Sequence, residues 1–65
     1  MSDYQFNDYI AISIVEGITV PESDEHEVAA YQYLIDAGIV WTLEESIGRR
    51  ARYLIEQGVC KPSGG

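Results

Sequence analysis

The apolar positions of the chain fall into three runs, and a glycine closes each of them. In the first run Phe6, Tyr9, Ile10 and Ile14 lie at helical spacing on one face, ending at Gly17. Ile10, Ile12 and Ile14 also alternate, and isoleucine, stiff at χ1, suits a strand. Pattern alone leaves residues 9–15 between helix and strand. Two features favour helix: Asn7-Asp8 can cap and charge an N-terminus, and Gly17 stands where a C-cap belongs. A lone strand would also need a partner strand, and no second candidate is evident.

Ile18 to Ser23 reads as a linker, extended at Val20-Pro21 by the proline rule. Ser23 or Asp24 can cap the next helix, and Asp24 with Glu27 has the form of a capping box. Asp24, Glu25 and Glu27 crowd a first turn, where the helix dipole favours negative charge. Val28, Tyr31, Leu34 and Ile35 make the apolar stripe, which Gly38 ends. After Ile39-Val40-Trp41, Thr42 with Glu45 forms a second box. Leu43, Ile47, Ala51, Leu54 and Ile55 carry the third stripe to Gly58. The spacing predicts an all-α fold, a small three-helix domain with helices over about 6–16, 24–37 and 42–57 and a frayed tail over 61–65.

One string echoes another. Tyr33-Leu34-Ile35-Asp36-Ala37-Gly38-Ile39 returns, twenty residues on, as Tyr53-Leu54-Ile55-Glu56-Gln57-Gly58-Val59. Each has an apolar pair, an acid, a glycine at C′ and an aliphatic residue at C″, the hydrophobic pattern of a Schellman stop. Shared use of one stop recipe accounts for the echo; duplication is the alternative, and two copies make no solenoid.

Size and charge narrow the function. The chain has 65 residues, one domain at most, and a domain this small buries only about 60% of its unfolded surface. Its hydrophobic fraction of 46% still suits a folded rather than a disordered chain. Cys60 is the only cysteine, which excludes an internal disulfide, and Cys60 with His26 falls short of a four-ligand zinc site. Association with itself or with a partner is the expected support, a well-packed monomer the alternative. No apolar run approaches the ~18 residues of a membrane span. Met1-Ser2-Asp3-Tyr4-Gln5 lacks the basic start and apolar core of a signal peptide, and the lone thiol points to a reducing cytosol. The net charge is −7, and it is unevenly spread: residues 1–48 hold ten acids and no Lys or Arg, whereas Arg49, Arg50, Arg52 and Lys61 follow with one acid, Glu56. Such a field repels a polyanion, so direct nucleic-acid binding is not expected.

Catalytic chemistry finds no support. The carboxylates lie in no calcium-loop pattern, and Asp24-Glu25-His26-Glu27 reads as a solvated helix start rather than a metal site. Cys60 has no nucleophile signature and His26 no adjacent Ser or Cys to activate. Gly48-Arg49-Arg50 lacks the spacing of a phosphate loop. No catalytic residue, metal or cofactor is expected. What stands out is Gly48-Arg49-Arg50-Ala51-Arg52. Arg49 can meet Glu45, and Arg52 Glu56, at i, i+4, or these arginines can contact a partner, as arginines at binding hot spots do. Gly48 in a helix costs about 1 kcal/mol relative to alanine, which suggests close approach to the second helix or a partner. Trp41 between two helices reads as a core or hinge residue, or else an interface anchor. The five tyrosines exceed what so small a core can hold.

The string Tyr31-Gln32-Tyr33-Leu34-Ile35-Asp36-Ala37-Gly38, then Trp41 and Leu43, then Gly48-Arg49 and Ala51, then Leu54-Ile55 and Gly58-Val59-Cys60, resembles a family of small, functionally uncharacterised proteins of tailed bacteriophages. The likeness spans about residues 8–60. Glu45 stands where that family tends to have glycine, and Ala37 where it tends to have threonine. The resemblance implies an all-helical phage product acting in the host bacterial cytoplasm, and it supplies no site residues. The resulting expectation is a non-enzymatic protein that binds and modulates a host protein, with inhibition the favoured form, through Trp41, Arg49, Arg50, Arg52 and Tyr53. The alternatives are an acidic nucleic-acid mimic that blocks a DNA- or RNA-binding host protein, and an obligate homo-oligomer with a structural role.

Overall fold

A computed structural model describes residues 4–62. The order of elements is α1 (Asp8–Val15), α2 (Asp24–Ala37), a 3-10 turn (Ile39–Thr42) and α3 (Glu45–Glu56). The described residues form an all-α domain of three helices with no strand. The ambiguous first run is helix, for local reasons: Asn7 Oδ1 accepts the Ile10 N–H at 2.8 Å, and Gly17 takes a left-handed φ of 82° to end it. The helix begins later than the apolar spacing suggested. Residues 4–7 are not helical, because Asn7 as the cap is itself extended.

α2 begins where expected, but Ser23 alone is the cap, its Oγ accepting the His26 N–H at 3.1 Å. That places His26, not Glu27, at the third helical position. The imidazole reaches back, and its Nδ1 accepts the Glu22 N–H at 2.9 Å. Asp24 and Glu27 therefore form no capping box. The second expected box also fails. Thr42 belongs to the 3-10 turn, where its hydroxyl donates to the Ile39 carbonyl at 2.7 Å, and α3 starts at Glu45 behind Glu44 with no side-chain cap.

Three glycine stops give the domain its turns. At α1, Gly17 N–H donates to Ile14 O and Ile18 N–H to Ser13 O; at α3, Gly58 N–H donates to Ile55 O and Val59 N–H to Leu54 O. Both are Schellman closures. Gly38 ends α2 with φ 77° and a bond from its N–H to Ile35 O. Because α1, outside the twenty-residue echo, closes the same way, a shared stop recipe explains the echo.

The core joins Ala11 and Ile14 of α1, Ala30, Tyr31, Leu34 and Ile35 of α2, Val40 of the turn, Ile47, Ala51 and Leu54 of α3, and Cys60. α1 packs on α2, and the turn packs on both α2 and α3. Val40, fully buried, is the residue of the turn that enters the core, while Trp41 stays 47% exposed. The stripe read on α1 is only half right. Ile14 is buried and Phe6 half-buried, but Tyr9 and Ile10 face solvent and Ala11 is buried instead. The N-terminal segment lies over the start of α2: the Tyr4 ring stacks on His26 at 4.3 Å between centroids, and Phe6 stacks on His26 at 5.6 Å. Tyr33 donates to Asp8 Oδ1 at 2.9 Å, tying α2 to α1. Lys61, read as the head of a frayed tail, is held by Gln32; residues 63–65 of that tail lie outside the described residues.

Candidate functional site

The 3-10 turn brings Trp41 beside the first turns of α3 because Val40, one position earlier, is anchored in the core. The result is a surface cleft of about 310 Å³. Trp41 and Leu43 supply its apolar lining; Glu44, Glu45, Gly48, Arg49 and Arg52 of the α3 region supply the rest. Of the five residues singled out from the sequence, Trp41, Arg49 and Arg52 meet here. Arg50 and Tyr53 do not line the cleft. Arg50 lies on another side of α3, where its charge acts on the buried Tyr31 and partly opposes the rise that burial gives that phenol. Tyr53 is half exposed.

Gly48 lies inside α3 with no close neighbour. A Cβ placed there would come no nearer than 3.9 Å to any outside atom, namely Trp41 Cε3, an ordinary van der Waals contact. The expected tight approach of the second helix is absent, and alanine would fit. Gly48 instead leaves a gap in α3 beside Trp41.

The cleft is electrically mixed. Arg49 Nη2 donates to Glu45 Oε2 at 2.6 Å with both side chains well exposed. Among the described residues this is the one salt bridge; the expected Arg52–Glu56 pair is not formed. The side chains of Arg52 and Glu44 have no hydrogen-bond or ionic partner among the described residues. Glu45 thus serves as an ion-pair partner on the surface of α3 rather than as part of a cap for Thr42. Glu44 escaped the sequence reading. The signal for it was the spacing Glu44, Gly48, Arg52, which sets an acid, a gap and a base at i, i+4 and i+8.

Outside the cleft, His26 and Cys60 are engaged in the fold. His26 is taken up by Glu22 and the two stacked rings. Cys60 is buried, and burial pushes its thiol above the ordinary range, aided by the charge of Asp36. Among the described residues no group of three His, Cys, Asp or Glu side chains could hold a metal ion, and no helix is long and apolar enough to cross a membrane.

The class so defined by the described residues is a small all-α domain of three helices with a mixed-charge cleft against α3. The chain belongs to the family of a domain of unknown function, DUF7417, whose model matches residues 10–65. No curated protein and no solved structure matches the chain.

Proposed function

We propose that the protein is a non-enzymatic binding domain, encoded by a tailed bacteriophage, that seizes and inhibits a host protein in the bacterial cytoplasm. The phage origin and location rest on the sequence resemblance around Tyr33-Leu34-Ile35-Asp36 and Trp41. The observation that carries the binding reading is Trp41, half exposed at a cleft it shares with Arg49 and Arg52. Aromatic and arginine side chains side by side supply large contact area and planar hydrogen-bond donors, the composition of interface centres.

The test compares capture from host lysate by the wild-type chain and by the Trp41→Ala and Arg49→Ala/Arg52→Ala variants. A host protein lost from both variants, with the helical circular-dichroism signal unchanged, is the expected result. Equal capture by all three overturns the site. The charge split between residues 1–48 and the basic stretch favours a second reading, mimicry of nucleic acid on its binding protein. That reading requires capture that falls steeply with salt and is competed by DNA. Capture by the cleft alone is far less sensitive, because the cleft carries both charges.

A further inference from the structure

We propose that the occupant of the cleft is a polypeptide segment that carries an apolar side chain between one basic and one acidic residue set about four residues apart. The inference rests on the binding role of the cleft and adds the chemistry of what enters it.

Glu44, the N-cap residue before α3, precedes Gly48 and Arg52 of that helix at i, i+4 and i+8. Eight residues at about 1.5 Å each put the Cα atoms of Glu44 and Arg52 ~12 Å apart along the axis. The side chains at the ends are opposite in charge and unpaired among the described residues, and the middle has no side chain. Glu45 and Arg49, the other charged residues of the cleft, pair with each other. What is left to recognise is a negative point, an apolar recess beside Trp41 and Leu43, and a positive point.

A polyanion does not match this arrangement, since Glu44 and Glu45 line the same cleft as Arg52. A purely basic segment fails at the other end. A second copy of the chain is disfavoured by mutual repulsion at a net charge of −7. A segment of mixed sign satisfies both ends, and an extended stretch covers ~12 Å in about four residues at ~3.3 Å each. Its central aliphatic side chain fills the recess that Gly48 leaves.

Trp41 is the only tryptophan of the chain and lines the cleft, so its fluorescence reports occupancy directly. The experiment titrates the full chain with four short peptides and with oligothymidylate. The peptides are base–Leu–acid, acid–Leu–acid, base–Leu–base and base–Ser–acid, with the outer residues four apart. The expected result is a saturable blue shift with base–Leu–acid and roughly tenfold weaker binding of the other three. Glu44→Arg should transfer the preference to acid–Leu–acid, and Arg52→Glu to base–Leu–base. Equal response to all four peptides, or a preference that neither substitution moves, overturns the charge order while the cleft stands as a protein site. A response to oligothymidylate and to no peptide overturns both readings.

Discussion

The side-chain amide of Gln32 pairs with the backbone of Lys61 in both directions. Lys61 N–H donates to Gln32 Oε1 at 2.7 Å, and Gln32 Nε2 donates to the Lys61 carbonyl at 2.9 Å. A side chain thus does for the end of the chain what a neighbouring strand does in a sheet. Beside this clamp Cys60 is buried, its Sγ 3.8 Å from the Val28 carbonyl. Gln32→Ala should release the segment, lowering stability by about 1 kcal/mol, since the bonds are partly exposed. It should also speed labelling of Cys60 by a thiol reagent, because a buried thiol reacts only when its cover opens. Identical labelling rates in variant and wild type would show that the clamp does not control access.

Gly48→Ala separates folding from binding. Alanine is favoured over glycine in a helix interior by about 1 kcal/mol, and the added methyl meets only Trp41 at an ordinary distance. The variant should melt roughly 4–8 °C higher. The same methyl intrudes on the recess, so affinity for the partner should fall. Higher stability with undiminished binding would show that the gap has no part in recognition.

Stability should decline at alkaline pH. Burial first, then Asp36, raises the Cys60 thiol above its usual 9.0. Burial first also raises Tyr31 above 10.0, with Glu27 adding and Arg50 opposing. Tyr33 is raised as well, chiefly by its hydrogen bond to Asp8. In each case the folded form holds its proton more tightly than the unfolded one, so the unfolded state deprotonates first and gains from rising pH. The contribution is complete below pH 9 and is lost as pH climbs through the folded values. Urea titrations at neutral pH and above pH 10 should show a lower midpoint at the higher pH. Cys60→Ala should delay the onset to the tyrosine range.

The caps and the surface ion pair should differ in worth. Ser23→Ala removes the acceptor for the His26 N–H and should cost about 1 kcal/mol. Arg49→Ala breaks a pair whose partners are both well exposed and should cost no more than a few tenths of a kcal/mol. Equilibrium unfolding of the two variants checks the contrast. A large loss on Arg49→Ala would mean that the capture test perturbs the fold.

The helices of this domain were legible where local chemistry sets them. Asn7, Ser23 and the glycines at 17, 38 and 58 act through bonds within a few residues, and such signals survive in any tertiary setting. α2 was read with its bounds intact because a cap, a charged first turn and a glycine stop all agree. What failed depends on packing. Tyr9 and Ile10 look as apolar as Ile14, but the face of α1 that is buried is chosen by where α2 lies, and Ala11 suits that contact. Thr42 has the chemistry of a cap, yet Val40 must reach the core, and the 3-10 turn that delivers it takes Thr42 for itself. The site was half legible for the same reason. Arg49, Arg50 and Arg52 are adjacent in sequence, and the 100° step of a helix sends Arg50 away from the other two.

Both ends of the described chain rest on α2: Tyr4 lies on His26, and Lys61 pairs with Gln32, six residues further along the same helix and thus roughly 9 Å away. A brief glycine-serine bridge from Lys61 to Tyr4 can therefore close the described residues into a loop, and the exposed stretch between Gly17 and Ser23 is the natural place to cut it open again. A circularly permuted protein made in this way should fold with the same circular-dichroism spectrum. Its new ends would emerge beside α1 and leave the tryptophan cleft clear for whatever a designer appends.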